Sequence, residues 1–563
     1  MKTTSKTYTT HLSRVLPALA LLALSALSAS AQTISETWDG GGADDNWSTA
    51  TNWTNDQVPN NQFVDFAGTT RTNPNNDIAA GKYIWELRLK NTTSGQNFTL
   101  DGNSVFVHNA VRTYDVASGN ITDVINMNID TLNGDWVIGT NHDLTMNGLA
   151  GTGGDVLNKS GGGTLTLAGA NTYTGATTVS AGTLKVTNSS KTPSYDIASG
   201  ATLELSASPT ANVAINGAGT FTVTGPISAG AIGFTTSMDS GAYIDIQNGR
   251  SLVFNGGGDP WTGNKADVNV DGWLYGAANS FEIDALTGGA SGLLQMGSGT
   301  INLGVDNGTG GVFDGDIRRS YADAHLNKQG TGTQTLNGEL NLGSTGTVTV
   351  SEGTLIFNGT SSGSNATGSW TVENGATLSG SGTLSGTATI GLGGILSPGN
   401  SPGTQTFDNL VWENGGTYLW EINADSLNGG SGTQGADPGW DWISVTNDWD
   451  ISGITTNFNI DITSLTGAND AGLADGFDYS GKSYLDPFET FTVLSFGTFD
   501  DTFDASLFSL NDSAFLNPKV GWSLEISGND LVLNAVFVPE PSSTALLGLG
   551  GLALMLRRKR SAA

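Results

Sequence analysis

One stretch decides the fold: Leu157 to Val186, which reads LNKSGGGTLTLAGANTYTGATTVSAGTLKV. Its segments Thr164-Leu165-Thr166-Leu167 and Thr183-Leu184-Lys185-Val186 alternate polar and apolar residues, and Thr177-Thr178-Val179 between them is β-branched. A two-residue period with Gly and Asn at the breaks predicts short strands joined by turns, and the stretch has no 3.6-residue period.

This stretch resembles the autotransporter-associated (passenger-associated) β-strand repeat of bacterial surface proteins. A looser copy runs from Leu326 to Phe357 and departs from the repeat pattern at Gln334 and at Glu339-Leu340-Asn341. The resemblance implies a right-handed parallel β-helix. We also expect β caps at its N- and C-terminal ends, because the open end of a solenoid needs a cover. The matching residues of the first copy are Lys159, Gly161, Gly163, Thr164, Leu165, Leu167, Gly169, Asn171, Tyr173, Gly175, Thr177, Val179, Gly182, Thr183, Leu184 and Val186.

The residues themselves also favour a stacked solenoid. A G-T-L-x-V unit is too short to bury its apolar side alone, whereas stacking on the next coil places Leu on Leu inside. Residues 151–403 would form about ten coils at roughly 20 or more residues per coil. An array of β-sandwiches is the alternative, which short strands broken by Gly favour less. Residues Gly230 to Arg319 hold the pattern poorly, so we expect an inserted loop or irregular coils there.

Composition narrows the class of protein. The chain has 563 residues, 80 of them Gly, only 13% charged residues and no Cys, so disulfide and thiolate chemistry are excluded. Its net charge is -30, and no basic stretch lies away from the two ends. Such a body repels nucleic acid and anionic lipid, and we expect neither as a partner.

The N-terminus has the features of a secretory signal peptide, residues 1–31. A basic start is followed by an apolar run and by Ala29-Ser30-Ala31, which predicts cleavage before Gln32. A short membrane helix is the alternative, but the run is short for a span. The expected partners are the Sec translocon and signal peptidase.

The C-terminus, residues 538–563, resembles a PEP-CTERM sorting signal. Pro539-Glu540-Pro541 precedes an apolar run that ends at Leu556, and a basic end follows: Arg557, Arg558, Lys559 and Arg560. A helix of residues 542–556 would be about 22 Å long, short for a bilayer core of about 30 Å, which favours a transient anchor. The resemblance implies that an exosortase of a Gram-negative bacterium recognises this tail as its substrate, and that the membrane is contacted only through it.

Between these ends we predict three β regions and two short terminal helices. Residues 32–150 form an N-terminal β region, residues 151–403 the β-helix repeats and residues 404–537 a C-terminal β cap. The first region opens with a W-D-G-G segment that contains Trp38, Trp47 and Trp53. These rings are predicted to cap the solenoid, because its open end needs a cover; the alternative is a platform that stacks on sugars.

Catalytic and metal-binding patterns are sparse. His108, His142 and His325 lie far apart in the sequence, and His11 lies in the signal peptide. We therefore predict no metal site, no cofactor and no catalytic residue. Asp441, Asp448 and Asp450 offer oxygens for calcium, but no calcium-loop motif accompanies them, which favours solvated turn acids.

One segment could support an enzyme: Arg318, Arg319, Tyr321 and His325. On a β-helix these side chains could neutralise a uronate and abstract a proton, as in polysaccharide lyases. An exposed polar loop is the favoured alternative, because a fold alone does not confer function. The sequence as a whole therefore predicts an exported, non-enzymatic β-helical stalk of the cell surface or extracellular matrix, with an adhesin or biofilm role. A lyase or hydrolase and a carbohydrate-binding protein remain as alternatives.

Overall fold

The computed structural model of the chain describes residues 35–132, 134–228, 234–254, 260–277, 280–306, 310–361, 368–426, 431–477, 489–517 and 520–537. Both predicted terminal helices, the signal-peptide cleavage site and the sorting signal lie outside these residues. The described chain is all-β, as predicted, and it divides into two compact units, Met1–Thr192 and Pro193–Ala563. Each unit is a parallel β-solenoid. The described residues contain two single-turn 3₁₀ helices, Ala50–Asn52 and Ala505–Leu507.

The first unit winds its described strands into three parallel sheets. The sheet orders are β1-β2-β5-β8-β11-β13-β15, β3-β6-β9-β12-β14-β16 and β4-β7-β10. The strands are β1 (Ser35–Trp38), β2 (Phe63–Phe66), β3 (Asn75–Asn76), β4 (Lys82–Ile84), β5 (Glu86–Leu89), β6 (Thr99–Gly102), β7 (Val105–Val107), β8 (Ala110–Thr113), β9 (Ile121–Ile125), β10 (Ile129–Thr131), β11 (Asp135–Val137), β12 (His142–Met146), β13 (Leu157–Ser160), β14 (Thr164–Leu167), β15 (Thr177–Val179) and β16 (Thr183–Val186).

The second unit repeats this winding with more strands. They are β17 (Ser194–Ile197), β18 (Thr202–Leu205), β19 (Val213–Gly217), β20 (Thr220–Val223), β21 (Pro226–Ser228), β22 (Phe234–Met238), β23 (Tyr243–Ile246), β24 (Ser251–Phe254), β25 (Asp267–Val270), β26 (Trp273–Gly276), β27 (Phe281–Ile283), β28 (Leu286–Thr287), β29 (Leu293–Met296), β30 (Gly299–Leu303), β31 (Val312–Phe313), β32 (Asp316–Arg319), β33 (Ala324–Lys328), β34 (Thr333–Leu336), β35 (Leu340–Asn341), β36 (Thr347–Val350), β37 (Thr354–Phe357), β38 (Thr360–Ser361), β39 (Ser369–Val372), β40 (Thr377–Gly380), β41 (Thr383–Ile390), β42 (Ile395–Pro398), β43 (Thr404–Trp412), β44 (Thr417–Ile422), β45 (Thr433–Gln434), β46 (Gly439–Trp440), β47 (Trp442–Asp450), β48 (Phe458–Ser464), β49 (Glu489–Thr498), β50 (Phe508–Ala514), β51 (Val520–Ser527) and β52 (Asp530–Phe537).

Apolar residues stack on one another between coils and form the core of each unit. In the first unit Leu144 pairs with Leu165, which pairs with Leu184, and none of the three is exposed to solvent. In the second unit Leu355 pairs with Leu378 and Leu378 with Leu396 in the same way. The alternating pattern of the sequence therefore predicts the inward and outward sides of these strands.

The prediction of an inserted loop or irregular coils between Gly230 and Arg319 was wrong for the described residues. Strands β22 to β32 continue the parallel ladders there, as in the pairing of β23 with β25 and of β26 with β29. The physical reason is that Tyr243-Ile244-Asp245-Ile246 keeps the two-residue alternation although it lacks the G-T-L consensus. Alternation, and not the consensus letters, sets which side chains enter the core.

Near the C-terminus the pairing changes from parallel to antiparallel. Strand β49 pairs in parallel with β47 on one side but antiparallel with β52 on the other, and β51 and β52 form an antiparallel pair. Large rings fill the interior here: Trp412 stacks on Phe458 at 4.3 Å between centroids and lies edge-on to Trp449 at 5.2 Å. The clustering of tryptophans in residues 404–537 thus marks buried packing.

No break in the first unit's ladder marks the predicted boundary between residues 150 and 151. Strand β12, before it, pairs in parallel with both β9 and β14. Strand β11 likewise pairs with β8 and β13. The coils that precede the repeat are therefore built like the repeat itself.

Glycine is required at one corner of each repeat copy. Gly182 has φ +65°, and a Cβ atom there would lie 2.4 Å from the carbonyl oxygen of Gly163 and 2.5 Å from that of Gly161. Gly353 of the second copy has φ +64° and meets two equivalent carbonyl oxygens at 2.5 Å. Positive φ and close backbone approach both exclude a side chain.

We predict that Gly182→Ala lowers the free energy of unfolding of the first unit more than Gly153→Ala does. Gly153 also has a positive φ of +55°, but a Cβ atom there would meet nothing within 4 Å. Both variants carry the backbone strain, and only Gly182→Ala adds a collision, so the difference should be about 1–3 kcal/mol. Thermal unfolding of both variants measures it, and equal midpoints would contradict the corner geometry.

Candidate functional site

The three N-terminal tryptophans are packed inside the first unit. The ring centroids of Trp38 and Trp53 lie 5.2 Å apart and those of Trp47 and Trp53 5.8 Å apart, both edge-to-face, and all three rings pack on Phe66. Their relative exposures are 0%, 0% and 1% for Trp38, Trp47 and Trp53. Because stacking on a sugar needs an open ring face, the alternative of a sugar platform at these residues was wrong.

The segment considered for lyase chemistry does not form one cluster. Arg318 lies on β32 and is paired with Asp316 at 2.8 Å and Glu339 at 2.7 Å, and Arg319 contacts Asp323 at 3.8 Å. His325 lies on β33, which belongs to another sheet, and its Nδ1 is 2.8 Å from Thr347 Oγ1.

The other two described histidines also have structural contacts. His142 and Asp123 are both fully buried, with 2.7 Å between Nε2 and Oδ2, and His142 Nδ1 is 3.2 Å from the carbonyl oxygen of Tyr114. His108 stacks on Trp85 with 4.1 Å between ring centroids. Each histidine thus sits in its own environment.

The aspartates considered for calcium accept hydrogen bonds from the protein. Asp441 is fully buried and accepts from the backbone amides of Gly403 (2.8 Å) and Glu421 (2.9 Å). Burial and then the nearby Glu421 carboxylate raise the pKa of Asp441 well above its usual value. Asp448 and Asp450 accept from Thr498 and Ser452. Within the described ranges no group of three or more His, Cys, Asp or Glu could hold a metal ion.

The two repeat copies share a buried lysine whose role was not foreseen from the sequence. Lys159, at the inward-facing third position of β13, is fully buried, and its ammonium donates to the carbonyl oxygens of Ser160 (3.1 Å), Gly161 (2.8 Å) and Ala181 (2.8 Å). These carbonyls belong to the corner after the strand and to the next coil. The Ser160 carbonyl oxygen also accepts from the backbone amide of Ile138 at 2.8 Å. The ammonium therefore joins two coils mainly by donating to the carbonyl oxygens of Gly161 and Ala181.

Lys328 of the second copy makes the same contacts. It is 1% exposed and donates to the carbonyl oxygens of Gln329 (2.9 Å), Gly330 (2.7 Å) and Glu352 (3.2 Å). Burial lowers the pKa of each lysine to about 8. The signal in the sequence was the shared Leu-Asn-Lys: in both copies Lys stands two residues after an inward Leu, so strand alternation turns it inward.

The second copy departs from the repeat pattern at Gln334, and the contacts of this residue explain why a polar side chain is tolerated there. It occupies the place of Leu165 in the first copy and is fully buried. Its side-chain amide donates to the carbonyl oxygens of Leu286 (2.9 Å) and Gly311 (3.0 Å) and accepts from the amide of Leu286 (3.1 Å). A buried amide is tolerated here because its polar atoms are paired.

Two family models match parts of the chain. The family model of the passenger-associated-transport repeat matches residues 157–186 and 326–357, and that of the PEP-CTERM protein-sorting motif matches residues 537–560. The chain therefore carries both features, as predicted, and the sorting motif indicates an exported surface protein handled by an exosortase. No curated protein matches the chain. None of the helical segments in the described ranges is long and apolar enough to cross a membrane.

We predict that Lys159→Met destabilises the first unit by about 2–3 kcal/mol, because it leaves the carbonyl oxygens of Gly161 and Ala181 without the ammonium donor. Met keeps most of the side-chain volume and removes only the ammonium. Lys191→Met, at an exposed position of the same unit, is the matched control and should change little. The thermal midpoints of both variants measure this, and a stable Lys159→Met variant would show that the ammonium is dispensable.

The lowered pKa of Lys159 predicts a pH dependence of stability. Between about 8 and about 10.5 the unfolded chain binds more protons at this residue than the folded chain, so its contribution to stability rises with pH. We expect the midpoint difference between wild type and Lys159→Met to widen in favour of wild type from pH 8 to pH 10. A difference that stays constant or narrows over this range would contradict the lowered pKa.

Proposed function

We propose that this exported chain is a non-enzymatic protein of the cell surface or extracellular matrix of a Gram-negative bacterium, with an adhesin or biofilm role. Its solenoid would act as a scaffold that displays binding surfaces outside the cell. The observation that carries the proposal is the combination of a sorting motif at residues 537–560 with passenger repeats that build a solenoid coil.

The tail supports a route to the surface. A signal peptide would direct export, and the basic residues after the apolar run would stay on the cytoplasmic side and hold the body outside. A brief anchor of this kind would present Pro539-Glu540-Pro541 to an exosortase at the membrane. Release would then leave the solenoid in the envelope or in the matrix.

The construction of the body suits a protein that works outside the cell. Without Cys, it is held by ladder hydrogen bonds, stacked apolar residues and buried lysine contacts. None of these depends on the redox state of the surroundings. The net charge of -30 favours solubility and disfavours binding to anionic polymers.

The enzymatic alternative has less support. A lyase site would need the guanidinium of Arg318 free for a uronate and close to His325. Arg318 instead contacts two carboxylates, and the two residues lie on different sheets. Incubation of the purified protein with polyuronates, followed by absorbance of the unsaturated product, tests this alternative; product formation would overturn the non-enzymatic proposal.

We predict that Glu540→Ala blocks processing of the tail in a host that contains an exosortase. Wild type should lose its C-terminal segment and move to the envelope or matrix, whereas the variant should keep the full mass and stay with the inner membrane. Intact mass and cell fractionation measure both. Glu373→Ala, at an exposed position of the body, is the control and should behave as wild type. An uncut tail in wild type would mean that the tail is an ordinary anchor.

A further inference from the structure

An aromatic pair projects outward from strand β26 in the second unit. Alternation along the strand buries Leu274 and turns Trp273 and Tyr275 to the outer face. Trp273 is 38% exposed, and the two ring centroids lie 5.5 Å apart with a tilt of 42°. Most tryptophans of this chain are buried, so a Trp on the outer face, next to a Tyr on the same face, is an exception.

Tyr321 extends this pair although it is remote in the sequence. It is 64% exposed, yet its hydroxyl donates to the carbonyl oxygen of Ala277 at 2.7 Å, which fixes the ring beside β26. A hydrogen bond with Tyr275 is the largest cause of the raised pKa of Tyr321. A Cβ atom at Gly297 would lie 2.5 Å from the Tyr321 hydroxyl oxygen, so glycine makes room for the ring. The exposed ring is therefore held in place.

Polar side chains continue the same face on the next coils. Trp273 is in register with Leu293 and then Asp316, and Tyr275 with Gln295 and then Arg318. Arg318 is 46% exposed at its side chain, and its contacts with Asp316 and Glu339 orient it. The aromatic rings thus border Gln295 and the paired side chains of Asp316 and Arg318 on the successive strands of one sheet.

We propose that Trp273, Tyr275 and Tyr321, with Gln295, Asp316 and Arg318 beside them, form a binding face for a neutral polysaccharide chain. Aromatic faces pack on the C–H faces of sugar rings, while amide, carboxylate and guanidinium groups hydrogen-bond to sugar hydroxyls. Coils about 4.8 Å apart present different groups in succession along the face, at a spacing close to the length of one sugar unit. This inference rests on the proposed function and names its ligand class.

The charge of the binding face favours neutral polysaccharides over anionic ones. The guanidinium of Arg318 is shared by two carboxylates, so the face offers no surplus positive charge. The whole chain carries a net charge of -30. A polyuronate would meet repulsion without a counter-charge, whereas an uncharged glycan would not.

Isothermal titration calorimetry of the purified full chain tests the proposal with soluble neutral probes: a glucomannan, a mixed-linkage β-glucan, a galactomannan and chitohexaose. Polygalacturonate is the anionic comparison. We expect saturable binding of at least one neutral probe and weaker or no binding of polygalacturonate. Binding of none of the neutral probes, or preference for polygalacturonate, would overturn the proposal.

Variants locate the binding on this face. Trp273→Ala and Tyr321→Ala should each weaken binding of the neutral probe about tenfold or more, as for anchor aromatics at interfaces. Tyr243→Ala is the matched control, because Tyr243 is an aromatic residue of the same unit and is also 38% exposed. Wild-type affinity in both face variants would overturn the assignment, and having two variants guards against a folding defect in one.

Processing of the tail and binding of glycan are measured separately, so glycan binding can be absent while the proposed function still holds. Trp273→Ala should be exported and processed like wild type, since the face is remote from the sorting motif in the sequence. Normal processing with no glycan binding by wild type would remove the ligand class and leave the surface protein. Self-association of wild type through this face, seen by sedimentation and lost in Trp273→Ala, would replace the glycan with a second copy and also overturn the proposal.

Discussion

Parallel pairing in register between successive coils is the interaction on which the rest of this structure depends. It places Leu165 between Leu144 and Leu184, and each coil buries an apolar side that it could not bury alone. A slip of one residue would turn the leucines outward and bring Thr inside. The same register sets the positions of the inward lysines, the outward aromatic face and the corners, so a change in register would displace all three.

Corners are the weak points of such a ladder, because the backbone turns there and leaves carbonyl oxygens without strand partners. The chain uses two devices. Inside, Lys159 and Lys328 bring an ammonium to three carbonyls each. Outside, asparagines form ladders between coils: Asn126 donates to Asp101 and Asn147 to Asn126 in the first unit, and Asn337 donates to Asp314 and Asn358 to Asn337 in the second. Both devices add hydrogen bonds in the direction in which the coils stack.

Strand alternation was sufficient to predict the fold class and the stacked leucines, because inward and outward positions follow from the pleat. Alternation did not predict features that depend on contacts between residues far apart in the sequence. Trp38, Trp47 and Trp53 pack on Phe66, which lies further along the chain. The coils of residues 234–254 and 260–277, by contrast, follow the alternation, and it was the absence of the repeat consensus that led to the wrong prediction there. Alternation from Leu157 places Lys159 on the inward side, but a lysine within a strand is ordinarily exposed, and only its three carbonyl partners explain how it is buried. Trp273 and Tyr321 come together only because the coils bring β26 beside residue 321.

A surface scaffold and a fixed binding face both require that the Gly-rich repeats form an ordered solenoid whose coils are joined by lysines. Hydrogen–deuterium exchange of the full chain, followed by mass spectrometry, measures this order. We expect the strands within residues 157–186 and 326–357 to exchange as slowly as the stacked strands at 377–380 and 395–398, and much more slowly than the exposed turn at Leu392. Rapid exchange throughout both repeat copies would contradict it.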